Sequence, residues 1–556
     1  MKNIYKLFSA CALLTVAVTS CDLTAINVNP NDPTADVDYN LDEARLASTF
    51  RKSLPAIEGD DEQRVKSLMV DFYAQMLDGG NYSTKNYIMN EDWNQRMYRR
   101  VQNTIASLNI VIRNMNSKGD QYTNAIAVAK IWRVYVESIG IDYFGPIPFP
   151  KYTEAEANPP YVSVEAAYTE FFRELDEAVV LFDKNNATPI FSSSASDILY
   201  ANDIAKWRKF ANSLRLRLAL RVSEVNAGLC SEQAAKAIAS GVMESAADNA
   251  YIPPKADGGW GNDYNYTMFQ ITWGGPLKMT SSIEKLLTGI GGIDWPAGVV
   301  NHRALYNSGT ATPVSTHPAK VDPRGPLMFD PALDGGKWEG YPYGLYGSQV
   351  TGEYATSTLW PELGILIKDG APYKSRKYDI FLYEEICFLK AEAALRGFAS
   401  GDAKTEYEKG VRASFATWGV SGSADAYLAS TDKNTAGTSA NFTDVSGAGN
   451  SVLEKIITQK YLSLFPDVAM EAWNDKRRLN LPRMDVAAFR DELLYDNNNK
   501  DIKDSRNFIK RVQYPQNETQ INKVEYDKGV ALLGGKDVVN TPIWWDKNAN
   551  YCTSDK

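Results

Sequence analysis

The sequence predicts a mainly α-helical protein, in which a scaffold of tetratricopeptide-like helix pairs is interrupted by a long irregular segment rich in glycine, proline and aromatic residues. Apolar residues recur at helical spacing in both the N-terminal and C-terminal parts of the chain. Residues 251–375 hold 19 of the 38 glycines and 12 of the 25 prolines, and these residues interrupt regular helices. The 556 residues are 44% hydrophobic, which excludes wholesale disorder and supplies a packed interior.

Charge and histidine content exclude several classes of function. The formal net charge is −9, which argues against a nucleic-acid-binding protein because such proteins carry a basic surface. The chain has two histidines, His302 and His317, in a loop-like stretch with no evident partner for either. Their spacing of fifteen residues excludes an HExxH zinc motif, and the chain has no G-x-S-x-G nucleophile motif to pair with either histidine, so the sequence predicts neither a zinc site nor a histidine-based catalytic triad.

The N-terminus, residues 1–20, is typical of a lipoprotein signal peptide. Lys2 and Lys6 precede the uncharged apolar run 7–18, which is shorter than the roughly 20 residues that cross a bilayer. Small residues then lead to Cys21, the predicted lipidation site, where acyl chains such as palmitate would be attached. An ordinary secretory signal with an incidental cysteine is the alternative.

A lipidated tether follows over residues 21–40, because prolines and asparagines there disfavour regular structure. The N-terminal helical scaffold is predicted over residues 41–250. One apolar face consists of Val128, Ile131, Trp132, Tyr135 and Ile139, with Gly140 as the predicted end of that helix. Ser163 is the predicted N-cap of the next helix, and Trp207 begins the apolar face of a third.

The C-terminal helical scaffold and tail are predicted over residues 376–556. Asp402 is a predicted N-cap, and Ser451 with Glu454 forms a predicted capping box. Pro466 is predicted to end that helix and to lie in the first turn of the next. Trp132, Trp207 and Trp473 are predicted core residues. Asp475–Arg478 are expected to pair with helix carboxylates or solvent, and Trp544–Trp545 to fix the tail to the scaffold.

Several stretches together resemble the SusD/RagB family of nutrient-binding outer-membrane lipoproteins of Bacteroidetes. They are NVNPNDPT (27–34), YFGPIPF (143–149), WRKFANSLRLRLALR (207–221), EEICFLKAEAALRG (384–397) and IITQKYLSLFPDVAMEAWNDKRRLNLPRM (456–484). Their order and spacing cover nearly the whole chain after the signal peptide. The resemblance implies a helical scaffold with an irregular ligand-binding portion. It also implies a SusC-like TonB-dependent outer-membrane barrel as partner, and a lipid-anchored, surface-exposed location; the inner leaflet of the outer membrane is the alternative location.

Other chemistry receives less support from the sequence. Asp257 with Asp263, or Asp330 with Asp334, could serve as a glycoside hydrolase pair, but acidic residues are frequent and such pairs arise by chance. The loop 496–501 carries several oxygen donors and could hold a structural calcium ion, although it lacks the glycine and terminal glutamate of an EF-hand. No cofactor is predicted.

The best ligand-binding candidates are aromatic residues outside the helical periodicity. They are Tyr82, Tyr87, Trp93, Trp260, Tyr264, Tyr266, Trp338, Tyr341 and Tyr343, and the irregular ligand-binding insertion is residues 251–375. Buried packing is the alternative for each. The sequence therefore predicts a non-catalytic protein that captures a nutrient, a glycan, and delivers it to the barrel. The alternatives are a peptide-binding lipoprotein of the same system and a surface glycoside hydrolase.

Overall fold

The computed structural model describes residues 35–53, 61–80, 82–151, 158–184, 187–254, 268–269, 277–367, 373–487 and 508–548. Several predictions fall outside these residues. They concern the signal peptide, Cys21, Asp257, Trp260, Asp263, Tyr264, Tyr266 and the loop 496–501. Within the described residues, no helix is both long and apolar enough to cross a membrane.

Among the described residues, the N-terminal scaffold contains six long helices, which confirms the predicted mainly helical fold. They are α1 Ala35–Lys52, α2 Glu91–Lys118, α3 Thr123–Phe144, α4 Val164–Lys184, α5 Ile204–Arg221 and α6 Ala227–Ala239. A π-helix, Glu62–Val70, continued by the turn Asp71–Tyr73, lies between α1 and α2. Consecutive helices pack against each other, as expected for helix pairs. Because α1 begins at Ala35, two residues after Pro33, the predicted tether over 21–40 extends too far.

Helix α3 corrects the predicted role of Gly140. The helix passes through this glycine and ends before Gly145, whose φ of 87° is left-handed. A Cβ on Gly140 would lie 2.7 Å from Val101 Cγ1 and 3.0 Å from Ile147 Cδ1. Gly140 therefore permits close packing of α3 on α2, and a helix end is not its role. The predicted cap of α4 is confirmed, since Ser163 Oγ accepts from the backbone N–H of Ala166 at 3.1 Å.

The irregular segment contains short elements that are tied to the scaffold. Its ends are joined by the antiparallel pair β2 Ala250–Ile252 and β8 Tyr378–Phe381. Between them lie β3 Lys278–Met279, α7 Ser281–Leu287, β4 Val300–Asn301, α8 His302–Ser308, β5 Thr312–Pro313, α9 Gly325–Met328, β6 Phe329–Asp330 and β7 Glu362–Leu363. Short elements are expected where glycine and proline are this dense.

A four-stranded antiparallel sheet joins this segment to the scaffold. Its order is β1–β3–β7–β6, where β1 is Leu77–Asp78 of the N-terminal part. The register pairs Asp78 with Lys278, Lys278 with Glu362, and Glu362 with Asp330. All four side chains are buried, so a row of formally negative, positive, negative and negative groups crosses the sheet in this order. The main hydrophobic core includes residues of both the scaffold and the insertion.

The C-terminal scaffold resumes after β8. Its helices are α10 Tyr383–Leu395, α11 Ala403–Thr417, α12 Ala424–Ala429, α13 Val452–Ser463, α14 Ala469–Leu479, α15 Gln516–Ile521 and α16 Lys523–Leu533. The Asp402 cap and the Ser451–Glu454 capping box are confirmed. Pro466 lies in the connector before α14, which begins at Ala469, so its predicted place in the first turn is wrong.

The predicted core residues are buried. Trp132, Trp207 and Trp473 are fully inaccessible to solvent. The basic run on α14 is also buried, and Arg478 pairs with Glu392 and Asp475, so helix carboxylates and not solvent are its partners. The C-terminal tail is fixed as predicted, because Trp545 is buried.

Candidate ligand-binding surface

The structure brings together two of the aromatic stretches that the sequence singled out. The loop 82–90, which precedes α2, contacts the insertion through two side-chain to backbone hydrogen bonds. Asn86 Nδ2 donates to the carbonyl of Gly344 at 2.8 Å, and the hydroxyl of Tyr343 donates to the carbonyl of Lys85 at 3.1 Å. Residues about 258 positions apart therefore form one structural unit.

A buried charge cluster fixes this unit to the sheet. Lys85 Nζ lies 2.7 Å from Asp78 Oδ1, and both side chains are fully buried. The ring of Tyr341 lies below two ammonium groups, with Lys278 Nζ at 4.2 Å and Lys85 Nζ at 5.5 Å from its centroid. Burial lowers the pKa of Lys278 to about 8, although the Asp78 carboxylate acts in the opposite direction. The loop before α2 is thereby held at a defined position.

Burial removes four of the nine candidates from an exposed ligand platform. Tyr87, Trp338, Tyr341 and Tyr343 are each at most 2% exposed, so the structure shows for them the buried packing that was the alternative. Tyr87 packs against the rings of Tyr73 and Phe508. Their irregular sequence context concealed this packing, because the tertiary fold buries loop residues without any helical periodicity.

Tyr82 and Trp93 are the candidates that remain partly exposed in the described residues. Their ring centroids are 6.0 Å apart with an interplanar angle of 49°, so the two rings form an angled pair. Asn90 places Trp93 by capping α2, since its Oδ1 accepts from the Trp93 backbone N–H at 3.3 Å. Partial burial raises the pKa of Tyr82, so its hydroxyl stays protonated at neutral pH and can donate a hydrogen bond.

A second partly exposed aromatic group was missed by the sequence analysis. The imidazole of His317 stacks on the indole of Trp295 at 4.6 Å between ring centroids, and Trp338 meets that indole edge-to-face at 5.1 Å. Trp295 precedes Pro296, and Gly298 follows with a φ of 79°. These turn-forming residues were the signal in the sequence that could have indicated an aromatic residue on a surface turn. His317 covers one face of this indole.

His302 has a partner that the sequence did not reveal. Its Nδ1 lies 2.8 Å from Asp330 Oδ1, and this hydrogen bond raises the pKa of His302 above 6.5. Asp330 is 1% exposed and engaged with this imidazole, so the Asp330–Asp334 pair does not have the open geometry that glycoside hydrolysis needs. Within the described residues, no group of three or more metal-ligating side chains could hold a metal ion.

Comparisons with known proteins agree with this architecture. The family described as SusD-like, "Starch-binding associating with outer membrane", matches residues 41–515, and the chain belongs to that family. The structure is similar to that of a SusD homolog from Parabacteroides distasonis, with a TM-score of 0.86 and 57% sequence identity, over 93% of this chain and 100% of that chain.

More distant structures share the fold. A chitin-binding SusD homolog from Flavobacterium johnsoniae has a TM-score of 0.71 and 24% identity over 91% of this chain and 99% of its own. A SusD homolog from Bacteroides vulgatus has a TM-score of 0.71 and 24% identity over 92% of this chain and 99% of its own. A search of the curated proteins found no match.

Proposed function

We propose that this protein captures a glycan at the outer membrane without cleaving it and delivers it to a SusC-like TonB-dependent barrel. The observation that carries the proposal is the angled, partly exposed pair formed by Tyr82, on a loop fixed by buried contacts, and Trp93, in the first turn of α2. The apolar C–H faces of a sugar suit aromatic rings, and a fixed loop lowers the ordering cost of binding. The family description, starch-binding and associated with the outer membrane, supports the same ligand class.

The two alternatives receive less support. Peptide capture by strand addition needs an exposed strand long enough to pair, whereas both edge strands of the four-stranded sheet, β1 and β6, contain two residues. Of the two carboxylate pairs considered for the hydrolase alternative, Asp257–Asp263 lies outside the described residues, and in Asp330–Asp334 the Asp330 carboxylate is buried against His302.

Single substitutions in the aromatic pair test glycan capture. Tyr82→Ala and Trp93→Ala should each weaken binding of a neutral hexasaccharide about fivefold, because a stacked ring contributes on the order of 1 kcal/mol. Tyr122→Ala is the matched control, since Tyr122 lies beyond the opposite end of α2, roughly 40 Å away at 1.5 Å per residue. Isothermal titration calorimetry against maltohexaose, chitohexaose and a hexapeptide gives the affinities. Unchanged glycan affinity in both variants, or binding of the peptide alone, would refute the proposal.

The proposed lipid anchor rests on the motif at Cys21, and the proposed barrel partner rests on the family resemblance. One membrane preparation tests both proposals. Cys21→Ser should release the protein from membranes, because the acyl chains that would supply about 0.8 kcal/mol per buried methylene are lost. The wild-type protein should co-purify with a large barrel in mild detergent. Equal membrane retention of both forms after removal of the barrel would contradict anchoring at Cys21, and recovery of monomer alone after crosslinking would contradict the barrel partnership.

A further inference from the structure

A polar cleft lies beside the aromatic pair, between α1 and α2. Its volume is about 480 Å³, within the range of small-ligand sites. The ten described residues that line it are all polar or charged, and they come from the last turns of α1, from Asp61 and from residues 96–107 of α2. A lining without apolar side chains suits a hydroxylated or charged ligand and does not suit a lipid chain.

Four of the lining residues are cations. Arg96, Arg99 and Arg100 lie at positions i, i+3 and i+4 of α2, where side chains share one helix face, and Lys52 faces them from the end of α1. With one carboxylate, Asp61, the described residues of the lining carry a formal charge of +3 in a chain whose net charge is −9. A local excess of positive charge on an acidic protein attracts anions.

The ion pairs divide these cations into two kinds. Asp61 bridges Arg96, at 3.0 Å, and Arg100, and Asp92 pairs with Arg96 from outside the lining at 2.9 Å, so these carboxylates hold both guanidinium groups in place. Burial opposes ionisation of Asp61, but Arg100 and Arg96 outweigh it and lower its pKa. In the described part of the chain, Lys52 and Arg99 form no ion pair, and both are exposed. Two cations are therefore positioned and two are available to a ligand.

Trp93 and the arginines of the cleft lie along one helix. Trp93 and Arg96 are three residues apart on α2, and Trp93 and Arg99 are separated by about 9 Å of helix axis. Hydroxyl and amide groups of Ser48, Asn103 and Ser107 complete the cleft with donors and acceptors for sugar hydroxyls. One oligosaccharide can thus contact the rings with one residue and the guanidinium groups with the next.

We infer that the cleft binds the carboxylate or sulfate group of an acidic oligosaccharide whose neighbouring sugar contacts Tyr82 and Trp93. The planar guanidinium fork matches the paired oxygens of both anions, which gives arginine an advantage over a point charge. The inference rests on the glycan capture proposed above and adds the charge class of the ligand. It assigns to Lys52 and Arg99 the role of ligand-binding residues.

A matched ligand pair tests the inference. Wild-type protein should bind a galacturonic acid hexamer about tenfold more tightly than the fully methyl-esterified hexamer, which has the same backbone without charge. Lys52→Gln and Arg99→Gln should each reduce affinity for the charged hexamer two- to fivefold, in line with exposed ion pairs, and leave affinity for the ester unchanged. The preference should shrink in 0.5 M NaCl, where charges are screened within a few ångströms. A chondroitin sulfate hexasaccharide extends the test to sulfate.

Arg113→Gln is the control, because Arg113 is exposed on the same helix about 21 Å from Arg99 and outside the cleft. Melting curves confirm that all variants fold. Equal affinity for both hexamers, or a preference that survives the double variant Lys52→Gln/Arg99→Gln, would overturn the inference and leave glycan capture standing. If neither hexamer nor any neutral glycan binds, the proposed function fails and the inference fails with it.

Discussion

Among the candidate aromatics, substitution of Trp338 distinguishes a structural role from a ligand-binding role most clearly. Its indole is 2% exposed and donates from Nε1 to the carbonyl of Phe329 at 3.1 Å. The ring also meets Trp295 at 5.1 Å, and a Cβ added to Gly325 would touch it at 3.4 Å. These contacts indicate a tryptophan that is enclosed on several sides and has its single donor satisfied.

Trp338→Ala should therefore destabilise the protein and leave its affinity for glycan unchanged. Replacing a buried tryptophan with alanine costs about 3–5 kcal/mol, and the unpaired Phe329 carbonyl accounts for about 1 kcal/mol of a loss of this size. We expect a decrease of about 4 kcal/mol in the free energy of unfolding. Trp93→Ala, at a partly exposed position, should cost less than half as much.

Urea unfolding followed by circular dichroism at 222 nm measures both variants, with calorimetry against maltohexaose at a temperature where both remain folded. The expected result is a large shift of the unfolding midpoint with preserved affinity for Trp338→Ala, and the reverse for Trp93→Ala. An unchanged midpoint with weakened glycan binding in Trp338→Ala would refute the reasoning, because it would make this buried ring a ligand contact.

Two further predictions concern packing and protonation. Gly140→Ala should destabilise the fold by about 1–3 kcal/mol, because its Cβ would lie 2.7 Å from Val101 Cγ1. Gly228→Ala is the control and should be neutral or stabilising, because no atom lies nearer than 3.7 Å to its Cβ. Equal melting temperatures of the two variants would contradict this prediction. Proton NMR should find the pKa of His302 above 6.5, and Asp330→Asn should move it back towards 6.5. Since the pKa of His302 is raised in the folded state, the stabilisation from this pair is complete below pH 6.5 and is lost as the pH rises through the folded-state pKa. An unchanged pKa of His302 in Asp330→Asn would show that Asp330 does not cause the shift.

The candidate surface could be located only in part from the sequence. Polar context singled out Tyr82 and Trp93, and both are partly exposed, although Trp93 lies in the first turn of α2. The same argument singled out Tyr341 and Tyr343 as ligand candidates, yet both are buried. Absence of helical periodicity shows that a residue does not pack within a helix pair, but it does not show whether a sheet or a loop covers the residue.

Local signals in the sequence determined the scaffold. Helical spacing of apolar residues, the caps at Ser163, Asp402 and Ser451, and the density of glycine and proline between 251 and 375 each act over a few residues, so they can be read without the fold. Their agreement with the structure follows from short-range chemistry, in which a side chain satisfies a backbone N–H three residues away.

Only the tertiary structure decided the contacts that depend on distant parts of the chain. The sheet pairs Asp78 with Lys278, and His302 pairs with Asp330 across two insertion elements. The basic cleft likewise exists because α1 packs beside α2 and brings Lys52 to Arg99. No local pattern encodes such pairings, because they are selected by the burial of the whole core, which brings together residues separated by tens or hundreds of positions.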